Sequence, residues 1–301
     1  MRFTYPEHFV RIQTDLQGTA GLEWLAHLPT IVEACAERWS LTIDGMMEPL
    51  TYNFLVGVRL ANDRPAVLKL CPPDGEFESQ RAALRHFRGR GTVQLLDFDE
   101  TNNVLLLERC IPGSSLNAGT DAEAIEVAGS IMRTLWKPLA DGSGFPTLSD
   151  WARGFDRLRR YYGGTGPFPP TLLDRAEHTF ATFRENANDV VLLHGDLHHG
   201  NILAAQREPW LAIDPKGVLG VPAYEPATFV INQTAEAVGA TDLSRFLMFR
   251  VDGLASTAGL DPTMVRESAV AHAVLSAWWT VEDHGRVGEF ALTCAKALAG
   301  V

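Results

Sequence analysis

Val191-Leu192-Leu193-His194-Gly195-Asp196-Leu197-His198-His199-Gly200-Asn201-Ile202-Leu203, with Leu211-Ala212-Ile213-Asp214 shortly after it, is the stretch that organises the rest of the chain. Apolar runs of strand length bracket a polar centre, so the pattern reads as strand, loop, strand, turn and strand, with polar residues at the hairpin ends. Asp196 and Asn201 have four residues between them. That D-x-x-x-x-N spacing is used by phosphoryl-transfer loops, in which the aspartate orients the nucleophilic hydroxyl and the asparagine holds magnesium. Gln206-Arg207-Glu208-Pro209 supplies a turn, so the strand ending at Asp214 can pair back towards Asn201 and offer a further hard oxygen ligand.

Outward from this centre the texture differs on the two sides. Upstream, Thr30 and Glu33 have capping-box spacing before IVEACAERW, which predicts a helix from Thr30 to about Ser40. LTIDGMM, FLVGVRL and AVLKL then read as short strands, a helix is expected over about 75–88, and VQLLDFDE and VLLLERC form a hairpin through Thr101-Asn102-Asn103. Downstream of Gly113 the pattern is helical, at about 121–139, 148–162, 171–187, 224–238, 241–258, 262–281 and 285–299, interrupted by the β-rich patch at 190–214. The expected class is α+β, with a β-rich N-terminal lobe over 1–107 that includes five antiparallel strands and one internal helix. A hinge at 108–113 and a mostly helical lobe over 114–301 complete the expected organisation.

Composition narrows the function. The 301 residues are 46% hydrophobic and 21% charged, which excludes a disordered chain, and a net charge of −11 argues against nucleic acid as a partner. The four cysteines form no C-x-x-C pair, as expected of free thiols in a reducing compartment. No run approaches the ~18 apolar residues of a membrane span and MRFTYPEHF lacks signal-peptide character, so a cytoplasmic protein without a membrane partner is expected. Three histidines within 194–199 raise the alternative of a metal site, but neighbouring His198 and His199 do not readily face one ion. Only four residues are lysines, and Lys69 lies mid-strand, where a buried charge requires an anionic partner. Lys216, directly after Asp214-Pro215, reads either as a turn lysine or as a charge beside a transferring phosphate. Glu225, Glu282 and Asp283 are candidate substrate-binding acids.

H-G-D-L-H-x-x-N-I-L followed by I-D-P-K-G resembles the aminoglycoside phosphotransferase family. D-P-K-G and Ser276-Ala277-Trp278-Trp279 resemble its streptomycin and hydroxyurea kinase branch. The resemblance covers the chain from about residue 45 and implies a two-lobed protein-kinase-like fold, with ATP and Mg2+ as cofactors. It implies Asp196 as catalytic base or orienter, His194 as a brace of the catalytic loop, and Asn201 and Asp214 as metal ligands. Lys69 would contact the ATP phosphates and pair with a helix acid. Gln80 stands where the family's glutamate is expected, leaving Glu78, with Glu76 as an alternative. The turn Leu50–Phe54 lacks the glycines of a protein kinase, and the resemblance points to Thr51 and Asn53 over the phosphates, with Glu108 to Cys110 presenting backbone groups to adenine. The implied activity is phosphorylation of a small-molecule hydroxyl, most of all on an aminoglycoside such as streptomycin. The alternatives are a sugar or amino-alcohol kinase of the same fold and a silent nucleotide-binding protein.

Overall fold

A computed structural model describes residues 2–73, 76–137, 139, 144–185, 189–232 and 242–300. The chain divides into two compact units, Met1–Ile111 and Pro112–Val301.

In the first unit, α1 (Glu7–Gln17) and α2 (Thr19–Trp39) precede β1 (Thr42–Met46), β2 (Phe54–Arg59), β3 (Pro65–Leu70), α3 (Glu76–Phe87), β4 (Leu95–Asp99) and β5 (Val104–Glu108). The strands form one antiparallel sheet in the order β1-β2-β3-β5-β4. Period-2 alternation turns Phe54, Val56 and Val58 of β2 and Ala66, Leu68 and Leu70 of β3 into a core shared with Phe9, Leu25, Leu28, Val32 and Cys35 of the two helices. Lys69 falls on the opposite face. It is paired with Leu55 and Leu105 on the central strand and is 2% exposed, as a mid-strand position implies.

The helix expected to begin at Thr30 instead runs from Thr19, with Pro29 inside it. Leu25, Leu28, Val32 and Cys35 recur at spacings of three and four and continue one apolar stripe through the Thr30 capping signal. Burial of that stripe overrides the local cap and the proline. At its C-terminus Ser40 takes a left-handed conformation, which ends the helix where the sequence indicated.

The second unit contains α4 (Asp121–Leu135), α5 (Leu148–Tyr162), α6 (Pro170–Glu185), β6 (Val191–Leu193), β7 (Ile202–Ala204), β8 (Trp210–Ala212), β9 (Val218–Gly220), α7 (Pro226–Val230), α8 (Leu243–Ala258), α9 (Pro262–His284) and α10 (Glu289–Ala299). α9 is its axis, buried on most sides and packed against α5, α6, α7, α8 and α10. Capping boxes at Thr120/Glu123 and Thr147/Asp150 fix the starts of α4 and α5. The helix expected over 224–238 is the short α7 where described, and its expected continuation over 233–238 lies outside the described residues. Two hairpin-like pairings, β6 with β9 and β7 with β8, carry the polar loop of residues 194–201.

Candidate active site

The loop begins at a buried histidine. Nε2 of His194 lies 2.8 Å from the Ile213 carbonyl, an acceptor only, so this nitrogen carries the proton and donates, while Nδ1 accepts from the Asp196 amide at 3.3 Å. Burial pushes the His194 pKa down to about 3. The imidazole is therefore neutral with both nitrogens engaged in bonds within the loop and to Ile213. Its own carbonyl accepts from the amides of Lys216 and Gly217 at 2.8 and 3.2 Å, which anchors the segment after Asp214.

Gly195 follows at φ 80°, where a side chain would be strained. A Cβ there would lie 2.9 Å from Val218 Cγ1, 3.2 Å from Trp151 Cη2 and 3.3 Å from Lys216 Cβ. Beneath the loop, Glu225 accepts from the His194 amide at 2.7 Å and the Gly195 amide at 2.9 Å. It is 2% exposed, and burial pushes its pKa up to about 7 against the pull of both amides. The expectation that Glu225 borders a substrate surface is thus corrected. Both its oxygens serve the main chain of the loop, because it ends a turn that passes under the loop before α7 begins.

Asn201 closes the loop. Its Nδ2 donates to the Asp196 carbonyl at 2.9 Å, which turns Oδ1 away from that bond. Ile213 N donates to the Asn201 carbonyl at 2.9 Å, extending the Ile202–Ala212 pairing by one step. Asp214 comes next, at φ 59°, followed by buried Pro215. Pairing of β7 with β8 therefore brings Asp214 back to Asn201, and Asn201 is bonded to Asp196. All three carboxylate or amide side chains are half-buried, an exposure suited to charged chemistry.

The loop's remaining histidines separate. His198 Nδ1 accepts from Gly200 N at 3.0 Å. His199 is turned inward, stacked on Phe229 with ring centroids 3.8 Å apart, and its Nε2 lies 3.6 Å from Asp121. Burial alone would raise the Asp121 pKa, but the neighbouring His199 and Arg250 hold it down to about 2. Arg250 is fully buried, donates to both Asp121 oxygens, and reaches the Phe229 and Val230 carbonyls at 3.2 Å. Among the described residues no group of three or more His, Cys, Asp or Glu is placed to hold a metal ion, which removes the histidine-cluster alternative.

Glu282 is held by Arg157 in a two-pronged pair at 2.5 and 2.9 Å, and Asp283 is exposed near the end of α9. In the first unit, Glu78 is an exposed residue of α3 paired with Arg81 at 2.7 Å. Gln80, on the inner face with Phe77, Ala83 and Leu84, accepts from the Cys71 thiol at 3.8 Å. Helical periodicity thus turns Glu78 outward and corrects its choice as the inward partner for Lys69. Thr51 is exposed and Asn53 half-buried in the turn before β2. Glu108 accepts from Gln94 N at 2.9 Å, and Cys110 is half-buried.

Sequence reasoning missed Trp151, the Asp121–Arg250 pair and the supporting role of Glu225. One signal was present for the pair: Arg250 sits on the stripe of Leu247, Val251 and Leu254, where a charge must find a buried partner.

Solved structures share this architecture. The choline kinase LicA from Streptococcus pneumoniae superposes with a TM-score of 0.64 at 14% identity, covering 91% of this chain and 100% of that one. The aminoglycoside phosphotransferase APH(4)-Ia gives 0.60 at 14% identity, over 91% and 97%. The molecule therefore shares the fold of these kinases, with a β-rich first unit and a helical second one. A family model described as aminoglycoside/hydroxyurea antibiotic resistance kinase matches residues 38–284, and the chain belongs to that family of small-molecule kinases. Streptomycin 6-kinase of Streptomyces glaucescens is 32% identical over 300 residues, covering 98% of this chain and 97% of the relative. Hydroxyurea phosphotransferase of Kitasatospora aureofaciens is 34% identical over 299 residues, covering 95% and 82%. Among the described residues no helix is long and apolar enough to cross a membrane.

Proposed function

We propose that the chain transfers the terminal phosphoryl group of ATP, with magnesium, to a hydroxyl of an aminoglycoside, streptomycin first. One observation carries the reading: the hydrogen-bonded β7–β8 hairpin brings Asp214 back to Asn201, whose side chain is in turn bonded to Asp196. Asp196 accepts the proton of the attacking hydroxyl or holds it in line. Because phosphoryl transfer needs positioning and charge neutralisation more than covalent help, the main-chain bonds from Glu225 and His194 matter as supports of Asp196. Asn201 Oδ1 and the Asp214 carboxylate are hard oxygen donors of the kind magnesium takes, and these two would hold it. Bound there, the ion would neutralise phosphate charge.

Lys69 of the first unit is the candidate for the nucleotide phosphates, with Thr51, Asn53 and the main chain of Glu108 to Cys110 as secondary candidates. Lys216, anchored by its amide to His194, is the candidate cation beside the transferring group. Support for streptomycin comes from the coverage of the streptomycin 6-kinase, and hydroxyurea is the second reading because its phosphotransferase is as similar.

The test is a panel of streptomycin, other aminoglycosides, hydroxyurea, choline and simple sugars, each incubated with ATP and magnesium and scored by ADP release and product mass. A gain of one phosphate on streptomycin is the expected outcome. Phosphorylated hydroxyurea alone shifts the acceptor, and phosphorylated sugars or choline alone overturn the antibiotic assignment.

A further inference from the structure

Two tryptophans stand beside the catalytic loop without a role in the chemistry above. Trp151 lies in the first turn of α5, which the Thr147/Asp150 capping box and the Leu219 N to Pro146 O bond of 2.8 Å hold against β9. Its Cη2 reaches to 3.2 Å from where a Cβ on Gly195 would be, one residue before Asp196. Trp279 of α9 meets it at right angles, ring centroids 5.4 Å apart. In a perpendicular pair the edge of one ring meets the face of the other, so the pair cannot cover all of its own faces.

Both indoles are half-buried, whereas the layer behind them is closed. Tyr224 and His272 are 2% and 5% exposed, joined by a hydrogen bond of 2.8 Å between the phenol and Nδ1, with Thr228 at 3.3 Å from Nε2. Trp151 contacts Tyr224 and Trp279 contacts His272, at 6.0 and 5.9 Å between centroids. The wall is therefore backed by buried, hydrogen-bonded side chains. Burial holds the His272 pKa down to about 4, so the backing layer carries no positive charge near neutral pH. Two of the acids that a cationic acceptor was expected to meet are already engaged, Glu225 by the loop amides and Glu282 by Arg157. Recognition of a cation at this place thus passes to indole faces, which attract planar guanidinium groups through the ring quadrupole.

We propose that Trp151 and Trp279 form an acceptor subsite that stacks a planar guanidinium group of the acceptor and so places a neighbouring hydroxyl at Asp196. This rests on the aminoglycoside reading, because streptomycin carries two guanidinium groups. The test compares streptomycin with an aminocyclitol glycoside that lacks guanidinium, in the wild-type chain, Trp279→Leu, Trp279→Phe and Trp151→Leu. Fold and nucleotide affinity are followed by melting and calorimetry.

The streptomycin KM should rise about 3- to 30-fold in the leucine variants, the range of a cation–π contact, with kcat falling less. The guanidinium-free acceptor should change by less than about 2-fold, and Trp279→Phe should recover part of the loss. If Trp151→Leu melts early, because it also supports Gly195, the Trp279 pair of variants decides. Equal streptomycin KM values in wild type and Trp279→Leu overturn the subsite while leaving the acceptor reading intact. Equal losses for both acceptors overturn guanidinium recognition. A wild-type chain that phosphorylates neither compound overturns the acceptor reading and the subsite with it.

Discussion

The loop at residues 194–201 and the candidate nucleotide residues of the first unit reach their positions in opposite ways. In the loop, side chains are fixed by main-chain bonds over short distances in sequence: His194 to Ile213, Asn201 to Asp196, and Asp214 by one strand pairing. In the first unit, Lys69 is set by sheet register, Gln80 by helix face, and Thr51 and Asn53 by an exposed turn. Spacing carries geometry in the first case because one hairpin does the work. In the second, three separate elements contribute, and only the face each residue occupies is informative.

The largest effect that would sharpen this contrast is expected from the loop. Asp196→Ala should lower the phosphorylation rate by ~10²–10⁴-fold while leaving melting temperature and ATP affinity nearly unchanged, and wild-type turnover would place the proton acceptor elsewhere. Asp214→Ala should weaken magnesium-dependent ATP binding by at least the ~10–100-fold typical of outer-shell losses, and by more than Asn201→Ala, which removes no charge. Calorimetry at limiting magnesium reads the difference. Affinities equal to the wild type in both variants would break the hairpin's claim to the metal.

Arg250→Met tests the support below the loop. It strands Asp121 and bares the Phe229, Val230 and Asn232 carbonyls, so urea melts should show a loss of about 3 kcal/mol, at the lower end for a broken buried pair because Asp121 is partly exposed.

Glu225→Gln is expected to matter less and to depend on pH. The folded pKa of about 7 lies above the ordinary 4.5, so the folded chain holds this proton more tightly than the unfolded one. Stability from this group therefore falls as pH rises from about 4.5 to 7. The variant lacks that slope, so its deficit in urea melts should be larger at pH 5 than at pH 8. A constant deficit would mean that burial does not govern this carboxylate.

The smallest effect belongs to the first unit. Glu78→Gln removes a surface pair with Arg81 and should change ATP affinity less than 2-fold and stability by less than about 1 kcal/mol. A 10-fold loss of affinity would restore Glu78 as the partner of Lys69.

The sequence made the sheet, the hairpin return of Asp214 and the start and end of α5 legible, because period-2 runs, turn residues and terminal glycines are local signals. The start of α2 was not legible, since a capping box at Thr30 was outvoted by an apolar stripe that only packing against Phe9 and the sheet makes decisive. The loop residues could be named from spacing, but the supports could not. Glu225 lies 30 residues from Gly195, and Arg250 lies 129 from Asp121. Trp151 joins them for the same reason, since nothing near position 151 announces the loop beside it. Charge on a helix does not announce its partner, which for Glu282 is an arginine of another helix.

The amide protons of His194 and Gly195 end on a carboxylate that is almost sealed from water. Deuterium can replace them only when Glu225 lets go, so these two protons act as a clock for the loop, separate from the fraying of nearby helix ends. A loop whose clock runs as slowly as the interior of α9 is one that never relaxes between turnovers. The acceptor then has to arrive at a finished surface, and the cost of arranging the reacting groups has been met during folding.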